Sequence, residues 1–500
     1  MNILWVNPET PKDTYWSFTY ALSLKGKRAA FPPLGILTAA AMLPAGWDQR
    51  LVDLNVRNLK DKDLRWADAV FISGMTIQRA SFDEALDRAK VYGLPVVAGG
   101  PMVTADYAES GCVDDRIDHL IIGEPEEIMS GFAADFERGE AKRVYAPQGR
   151  PPLSSAPIPA YKAISLRPYN SMSVQYSRGC PNNCDFCDII ELYGRKVRTK
   201  SNDQMVAELQ ALYDQGWRGS VFFGDDNFIG NKAKVKQLLP GITGWQHDHK
   251  YPFAFFTQAS VNLAEDDDLL DMMTDAGFRK VFLGIETPEE ECLLQAGKRV
   301  NLHGMPLEDK VRKIQESGME VMAGFILGFD ADKESTFDRM KSFIQESGIP
   351  LSMVGLLTAM KGTQLYRRLK EEKRLLGESD GNNTHNSVNF IPKMQLDKLM
   401  EKYRDVLGSI YSPKEYYSRC LRFLERYNPK RIHVNPNFAD VRAFVTSMIK
   451  QGIFEKGRLE YWDFLGRAFA TNPKAFSTAV TLAIMGRHFT HITEQYISSR

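Results

Sequence analysis

Three closely spaced cysteines constrain this chain more than any other feature. Cys180, Cys184 and Cys187 stand at C-x3-C-x2-C spacing in the segment YSRGCPNNCDFCD, residues 176–188. Three thiolates in one loop can converge on a soft metal centre, but a structural zinc site or a ferredoxin-type cluster uses four ligands. No fourth cysteine and no histidine lies close by in the sequence. The spacing therefore favours a metal centre that keeps one position open to a small molecule over a disulfide or a zinc knuckle.

The composition indicates a globular protein of several domains. A length of 500 residues exceeds what one hydrophobic core supports. Lys+Arg and Asp+Glu both number 63, and this zero formal charge argues against nucleic acid as a partner. No basic-then-apolar leader and no apolar run long enough to span a membrane is seen. We expect a reducing, cytoplasmic setting, with Cys112, Cys292 and Cys420 as small buried hydrophobes.

The first part of the chain, residues 1–147, alternates short apolar strands with helices. The strands are expected at residues 2–7, 50–55, 69–75, 96–98 and 119–122. This alternation predicts a doubly wound, Rossmann-like parallel sheet that binds ligands beyond the carboxyl ends of its strands. Glycines at those ends, such as Gly74, Gly99 and Gly100, either admit a ligand close to the backbone or only make tight turns.

A Pro/Ser-rich linker, residues 148–165, precedes a second repeating region at residues 166–376. Six strands are expected in it, at residues 172–177, 219–224, 251–257, 279–285, 319–327 and 351–358. Six strand–helix units predict a partial (βα)6 barrel of the TIM type, since a complete barrel has eight. The cysteine loop follows the first strand, so it lies at the carboxyl ends, where barrels carry their chemistry.

Residues 377–500 are predicted to form a small helical domain. Amphipathic helices are expected at residues 395–407, 413–426, 439–450, 460–470 and 473–489. Five of their aromatic residues are expected in its core: Tyr416, Phe423, Tyr461, Phe464 and Phe469. The alternative is that some of them face an apolar substrate or a membrane surface.

Polar residues follow the second, third and fourth barrel strands. They are Asp225, Asp226, Gln258, Ser260 and Glu286. From the residue types alone, these side chains could bind Mg²⁺, act as general acid and base, or cap the following helices.

The cysteine loop resembles the cluster-binding loop of radical S-adenosylmethionine (SAM) enzymes. Phe186 matches the aromatic residue commonly found before the third cysteine of that family. The resemblance implies a [4Fe-4S] cluster on Cys180, Cys184 and Cys187, with SAM chelating the fourth iron and being split reductively to a 5′-deoxyadenosyl radical. It also implies SAM contacts at the polar strand ends, namely Asp225, Asp226, Gln258, Ser260 and Glu286.

The first domain resembles the cobalamin-binding domain that precedes many radical SAM domains. The resemblance lies in FPPLGI at 31–36, Ser73-Gly74, AGGP at 98–101 and IGEPE at 122–126. It implies cobalamin contacts at Asn7, Asp53, Asn55, Ser73, Gly74, Met75, Gly99, Gly100 and Glu124. Domains of the mutase type carry Asp-x-His-x-x-Gly, and Asn55 stands where their cobalt-ligating His would be. Either cobalamin binds here without a protein imidazole, which we favour, or the domain has lost cobalamin.

The three-part layout resembles a branch of cobalamin-dependent radical SAM proteins that includes the hopanoid C-2 methyltransferases. FGDDNFIGN at 223–231 and GFILGFD at 324–330 carry this match. The resemblance implies methyl transfer from methylcobalamin to an unactivated carbon of an apolar or natural-product-like small molecule. It also implies an external electron donor of the flavodoxin or ferredoxin type, and peripheral membrane contact is a further expectation. A non-methylating cyclisation or rearrangement, and a non-catalytic cobalamin or cluster sensor, stay open as alternatives.

Overall fold

A computed structural model describes residues 1–382, 388–430 and 438–498. The first part of the chain forms six parallel strands in the order β2-β1-β3-β4-β5-β6. These strands are β1 Asn2–Asn7, β2 Asp48–Asp53, β3 Ala69–Ser73, β4 Val96–Gly99, β5 His119–Ile121 and β6 Val144–Tyr145. The helices are α1 Thr19–Lys25, α2 Leu34–Ala40, α3 Asp61–Trp66, α4 Arg79–Val91, α5 Pro101–Ser110 and α6 Met129–Glu137.

The strand order places a crevice beside β1. The chain moves to one side of β1 to form β2 and to the other side to form β3. In open parallel sheets, such a reversal leaves room for a ligand at the carboxyl ends of the strands. Asn7 ends β1 and Ser73 ends β3, so both lie at this crevice. The predicted Rossmann-like sheet is confirmed.

The central part of the chain forms a second sheet of six parallel strands, in the order β14-β13-β12-β11-β10-β7. Its strands are β7 Met172–Val174, β10 Gly219–Phe223, β11 Phe253–Ala259, β12 Phe278–Glu286, β13 Glu320–Leu327 and β14 Leu351–Leu356. The helices are α7 Ile189–Leu192, α8 Asn202–Asp214, α9 Lys232–Asp248, α10 Asp267–Ala276, α11 Glu290–Gln295, α12 Leu307–Glu316, α13 Glu334–Ser347 and α14 Gln364–Glu371. The predicted six-stranded partial barrel is confirmed. A short antiparallel ribbon, β8 Ser177–Arg178 with β9 Arg198–Thr199, encloses the cysteine loop.

All six barrel strands differ from the predicted ranges by one to three residues at an end, and two of these differences have a local reason. β7 ends at Val174 because the backbone N–H groups of Tyr176 and Ser177 donate to the Asp225 carboxylate instead of to a neighbouring strand. β11 begins two residues late because Lys250 and Tyr251 have φ values of +61° and +54°, which only a turn accommodates.

The C-terminal helices pack on the last barrel strand. They are α15 Leu396–Ile410, α16 Pro413–Arg426, α17 Phe438–Ile449, α18 Arg458–Thr471 and α19 Phe476–Ser498, with a π-helical turn, Lys450–Phe454, after α17. The Tyr411 hydroxyl donates to the Ser352 carbonyl at 2.6 Å and accepts from its N–H at 3.1 Å, which fixes α15 to β14. Among these helices, none within the described residues has the length and apolarity needed to cross a bilayer.

Two burial predictions are wrong. Four of the five aromatic residues expected in the helical core are buried, but Phe469 is 59% exposed. It lies on the same outer stripe of α18 as Leu459 and Trp462, whereas Phe464 faces inward. Of the three isolated cysteines, Cys112 is exposed because it follows Gly111, where α5 turns out into solvent.

Candidate cofactor site between the two sheets

The cysteine loop is fixed at both ends by backbone hydrogen bonds. Gly179 has a φ of +95°, and a Cβ there would lie 2.8 Å from the carbonyl oxygen of Gly194. Cys180 donates its N–H to that same carbonyl at 3.2 Å. Further along the loop, the Asp185 N–H donates to the Ala296 carbonyl at 3.0 Å. Glycine is therefore required before the first cysteine, and protein contacts alone define the path of the loop.

The thiols of the loop are suited to a cluster. All three are free of disulfide bonds. Burial raises the pKa of Cys184 to about 11 and also raises the pKa of Cys187. Thiols in such surroundings ligate as thiolates once a cation compensates their charge. In the described part of the chain, no three His, Cys, Asp or Glu side chains are grouped to hold one metal ion. A [4Fe-4S] cluster presents a separate iron to each thiolate, so three free thiols in one loop fit such a cluster.

The acidic pair after β10, Asp225 and Asp226, accepts hydrogen bonds from the residues just before the first cysteine of the loop. Asp225 is fully buried and accepts hydrogen bonds from the N–H of Tyr176, at 3.1 Å, and from the N–H and hydroxyl of Ser177. Asp226 accepts from the Gly179 N–H at 2.8 Å. Burial raises the pKa of Asp225 to about 7 and that of Asp226 to about 6. These contacts with the loop are observed, whereas contact of either carboxylate with SAM stays a prediction.

A buried lysine, which the sequence analysis missed, pairs with Glu286. Lys298 Nζ lies 2.7 Å from Glu286 Oε1, and both side chains are about nine-tenths buried. Although burial opposes its charge, the carboxylate of Glu286 and the nearby thiol of Cys184 raise the pKa of Lys298. A Cβ on Gly297 would lie 2.5 Å from the Asn183 carbonyl oxygen, so this turn touches the cysteine loop. The pair therefore puts a cation and an anion beside the thiols.

Glu286 itself is held in a strained backbone conformation at the end of β12. Its φ of +65° is unusual for a residue with a side chain. The Asn301 amide donates to the carbonyl of Ile285 at 2.8 Å and to that of Gly284 at 3.1 Å. Such strain persists where surrounding contacts impose it, and it is common at functional sites.

The remaining polar strand ends form a small amide–hydroxyl network. Asn227 Nδ2 donates to Ser260 Oγ at 2.7 Å and lies 3.8 Å from the sulfur of Cys180. Asn182, inside the cysteine loop, donates to the same hydroxyl at 3.1 Å. Gln258 is half-buried two residues earlier on β11. Ser260 is thus bonded to the cysteine loop directly through Asn182 and indirectly through Asn227.

In the first domain, Asn7, Asp53 and Asn55 bond to one another. Asp53 Oδ1 accepts from the amides of Asn7, at 2.9 Å, and Asn55, at 2.8 Å. Its other oxygen accepts from the Tyr169 hydroxyl at 2.9 Å, which ties this cluster to the chain just before the barrel. Asn55 Oδ1 accepts from the N–H of Thr10 at 2.9 Å. The amide that replaces the cobalt-ligating His is therefore engaged in loop contacts.

Two glycine-rich strand ends of the first sheet meet without room for side chains. Gly100 has a φ of +92°, and a Cβ there would lie 2.5 Å from Ser73 Oγ and 3.1 Å from the Gly74 carbonyl oxygen. A Cβ on Gly99 would lie 3.1 Å from the Ile121 carbonyl oxygen. Met75, the next residue along, is half exposed at the sheet end. These glycines therefore allow the strand ends to approach each other more closely than residues with a Cβ could.

Glu124 lies in a buried ion-pair network between the two domains. Its carboxylate accepts from Arg178 Nη1 at 2.7 Å and from Arg198 Nη2 at 2.7 Å. Glu126 also lies 2.7 Å from Arg178 Nη1. Although burial opposes the charge, Glu126 and Glu124 raise the pKa of Arg178. Both oxygens of Glu124 bind arginine, so the structure shows a domain-joining role for a residue predicted to contact cobalamin.

Aromatic side chains that keep some exposure line the barrel lumen beneath the cysteine loop. Phe223 on β10 and Phe255 on β11 are fully buried under the helices. The alternating residues Phe222, Phe256 and, on β12, Phe282 are half-buried and face the lumen. The Phe222 and Phe256 rings stack at 4.9 Å between centroids. The lumen is therefore an apolar, aromatic-lined space.

Aromatic residues from the N-terminal segment cover this lumen. The Phe31 ring lies 5.1 Å from that of Phe222, and the Trp16 ring lies 5.3 Å from that of Phe282. Trp16 is 42% exposed, so it stands at the mouth. On β13, a Cβ at Gly324 would lie 3.0 Å from Phe282, and the missing side chain widens the space.

Three family models match successive parts of the chain. A B12 binding domain matches residues 28–133, the radical SAM superfamily matches residues 174–344, and a domain of unknown function matches residues 363–500. The first two matches cover the sheet-end loops and the cysteine loop described above.

Known proteins resemble the chain over nearly its whole length. An uncharacterised methyltransferase of Synechocystis sp. is 42% identical over 503 residues, covering 99% of this chain and 92% of the relative. The hopanoid C-2 methylase of Rhodopseudomonas palustris is 37% identical over 477 residues, covering 92% and 88%. The structure of the radical SAM methyltransferase TsrM from Kitasatospora setae, with cobalamin and a [4Fe-4S] cluster bound, superposes with a TM-score of 0.62 at 16% identity, covering 94% and 99%.

Proposed function

Because the chain belongs to the cobalamin-dependent radical SAM methyltransferase family, we propose that it transfers a methyl group to an unactivated carbon of an apolar small molecule. The observation that carries this proposal is the lumen lined by the half-buried aromatic residues Phe222, Phe256 and Phe282. Such a lining suits a substrate with a carbon skeleton and few polar groups. The relative named hopanoid C-2 methylase supports methylation at carbon.

The chain's own residues would hold three cofactors. Cys180, Cys184 and Cys187 would ligate a [4Fe-4S] cluster and leave one iron for SAM. Lys298 and Glu286 complement the carboxylate and the amino group of SAM, since they place opposite charges beside the thiols. Asp226, Gln258 and Ser260 stay proposed as further SAM contacts. When bound, the cluster with SAM supplies a carbon radical, and cobalamin supplies the methyl group.

Cobalamin would lie against the carboxyl ends of β1, β3 and β4. The strand ends at Ser73, Gly74, Gly99 and Gly100 carry few side-chain atoms, which suits the face of a corrin ring, and Met75 would contact its edge. The engaged amide of Asn55 supports binding without a protein nitrogen on the cobalt. Electrons for the cluster would come from an external flavodoxin- or ferredoxin-type donor.

The protein's part in the reaction would be positioning and exclusion of water. Trp16 and Phe31 cover the aromatic lumen, so a bound substrate is shielded while its carbon is reactive. No side-chain base is needed when a hydrogen atom, and not a proton, leaves the substrate carbon. The buried pair of Arg178 and Glu124 would keep the cluster loop and the cobalamin surface in fixed register.

The test is anaerobic turnover of the reconstituted enzyme with cobalamin, a strong reductant and SAM that carries a deuterated methyl group. Apolar candidate substrates should gain one labelled methyl group, and deoxyadenosine should accumulate alongside. Deoxyadenosine without a methylated product would refute methyl transfer, and a product of unchanged mass would point to rearrangement.

A matched pair of tryptophan variants tests the lumen as the substrate site. Trp16→Ala removes the ring at the mouth, and we expect KM for substrate to rise at least about tenfold from lost apolar contact. Trp66→Ala changes a half-buried tryptophan on α3 that stacks under Arg50, and turnover should stay unchanged. Equal effects of the two substitutions would exclude a substrate contact at Trp16.

A further inference from the structure

The C-terminal helices carry a large group of exposed apolar side chains. We name it the outer apolar surface, and it comprises Val441, Val445, Ile449, Ile453, Phe454, Leu459, Trp462 and Phe469. Phe454 is 77% exposed and Leu459 is 75% exposed, which is unusual for side chains of this size. Contiguous apolar exposure of this kind marks an interaction surface.

These residues lie on two adjoining helices. Val441, Val445 and Ile449 follow at intervals of four along α17, so they form one stripe. The exposed residues of α18 also share one stripe, while Phe464 on its other side is buried. The indole N–H of Trp462 donates to the Gly452 carbonyl at 3.0 Å, so α18 lies directly against the π-helical turn. The two stripes therefore meet at Ile453 and Phe454.

Basic residues are interspersed with this surface. Lys450, Lys456 and Arg458 are exposed and adjoin Phe454 and Leu459 in the sequence. Within the described residues, none of these three basic residues forms an ion pair. Residues 450–459 also hold one acidic residue, Glu455, which pairs with Arg487 at 2.6 Å, so this segment carries a local excess of positive charge.

We propose that the outer apolar surface binds the headgroup region of a lipid bilayer that contains anionic lipids. Exposed Phe and Leu side chains with an adjoining Trp suit the boundary between headgroups and acyl chains. The three unpaired basic residues complement anionic headgroups. No described helix is long and apolar enough to span a bilayer. The proposed contact is peripheral, with α17 and α18 lying on the membrane surface.

The outer apolar surface lies near the mouth of the lumen. A role of membrane contact in substrate entry rests on the function proposed above. Lys25 of α1 pairs with Asp440 of α17 at 3.1 Å, and the Arg442 guanidinium lies over Gly26. Helix α1 begins three residues after Trp16, at the lumen mouth. A bilayer bound at α17 would therefore lie beside the path by which an apolar substrate enters.

The test measures binding of the full-length protein to vesicles by flotation. The wild type should float with vesicles of phosphatidylcholine and phosphatidylglycerol, and far less with phosphatidylcholine alone. Phe454→Ser with Leu459→Ser, and separately Lys450→Glu with Lys456→Glu and Arg458→Glu, should each weaken partitioning at least about tenfold. Val91→Ser with Leu376→Ser changes two side chains that are 84% and 64% exposed elsewhere, and binding should be unchanged.

Three results would overturn the proposal. The first is wild-type protein that fails to float, and the second is equal flotation of the control and the two surface variants. The third is a wild-type dimer, detected by light scattering, that Phe454→Ser with Leu459→Ser converts to a monomer without changing flotation, since a second copy would then cover the surface. Methylation of detergent-dispersed substrate separates the hypotheses, because it should persist in the surface variants and fail if the proposed function is wrong.

Discussion

Arg178 donates from Nη1 to Glu124 at 2.7 Å, across the boundary between the first sheet and the barrel. Arg178 stands two residues before Cys180, and Glu124 follows β5 of the first domain. Removing both charged groups from water is costly, and only their mutual attraction with Arg198 and Glu126 offsets that cost. The pair therefore links the position of the cysteine loop to the sheet proposed to hold cobalamin.

The first prediction concerns this link. Glu124→Gln should lower the free energy of unfolding by about 3 kcal/mol, because Arg198 stays buried without a counter-charge and Arg178 keeps only Glu126. It should also reduce the iron bound after reconstitution, since the loop loses its support. Glu127→Gln, at an exposed position nearby, is the control and should leave both quantities unchanged. Denaturant unfolding and iron analysis measure the two effects, and wild-type iron content in Glu124→Gln would contradict the proposed link.

The second prediction separates the structural and ligand-binding roles of Lys298. Lys298→Met should destabilise the protein by about 3 kcal/mol, because Glu286 stays buried and unpaired. Combining it with Glu286→Gln should restore most of that stability, since no uncompensated charge is left. If the pair binds SAM, affinity for SAM should stay low in the restored double variant. Isothermal titration of reconstituted protein measures this, and recovery of affinity together with stability would show that the pair is structural only.

The third prediction concerns the glycine contact in the first sheet. Gly100→Ala should cost at least about 2 kcal/mol, since it adds a collision with Ser73 Oγ to the strain of a positive φ. Gly93→Ala is a matched control, because its φ is +67° and nothing lies within 4 Å of the added Cβ. The control should cost only about 1 kcal/mol. Absorbance of retained cobalamin should fall in Gly100→Ala alone, and equal retention in both variants would argue against corrin contact at this surface.

The sequence predicted the two sheets well because both signals are local. Alternating apolar strands and amphipathic helices reflect burial on both faces of each sheet, and residues 2–7 form β1 as predicted. Strand ends were less accurate, since they depend on contacts distant in sequence. Asp225 draws the backbone of Tyr176 and Ser177 out of the sheet, and no pattern around residue 176 indicates that.

The residues of the site were likewise predicted where the signal is local in the sequence and missed where it depends on distant contacts. Cysteine spacing identifies the loop by itself, because all three ligands belong to one segment. Lys298 was missed because a single lysine in a turn has no signature until Glu286 is found beside it. Glu124 was assigned to cobalamin from the resemblance of residues 122–126, and that contact stays a prediction. Its pairing with Arg178, 54 residues away in the sequence, could not be predicted. Buried ion pairs of this kind become visible only once the fold brings their members together.

The last prediction links acid stability to the cover of the lumen. His488 on α19 bonds through Nε2 to the Tyr15 carbonyl at 3.0 Å, one residue before Trp16. Burial lowers the pKa of His488 to about 4, and a solvated imidazole titrates near about 6.5. Between these values the unfolded chain binds the extra proton, so this contribution to stability is present above about pH 6.5 and is lost as the pH falls toward 4.

His488→Gln removes this titration and should make stability less dependent on acid. Relative to the variant, the wild type should lose about 2 kcal/mol of unfolding free energy between about pH 7 and pH 4.5. His303→Gln, at an exposed position, should follow the wild type. Denaturant unfolding at several pH values gives the comparison, and parallel curves for wild type and His488→Gln would contradict it. Because His488 holds Tyr15, Trp16 fluorescence should change in the same pH range as the segment that covers the lumen loosens.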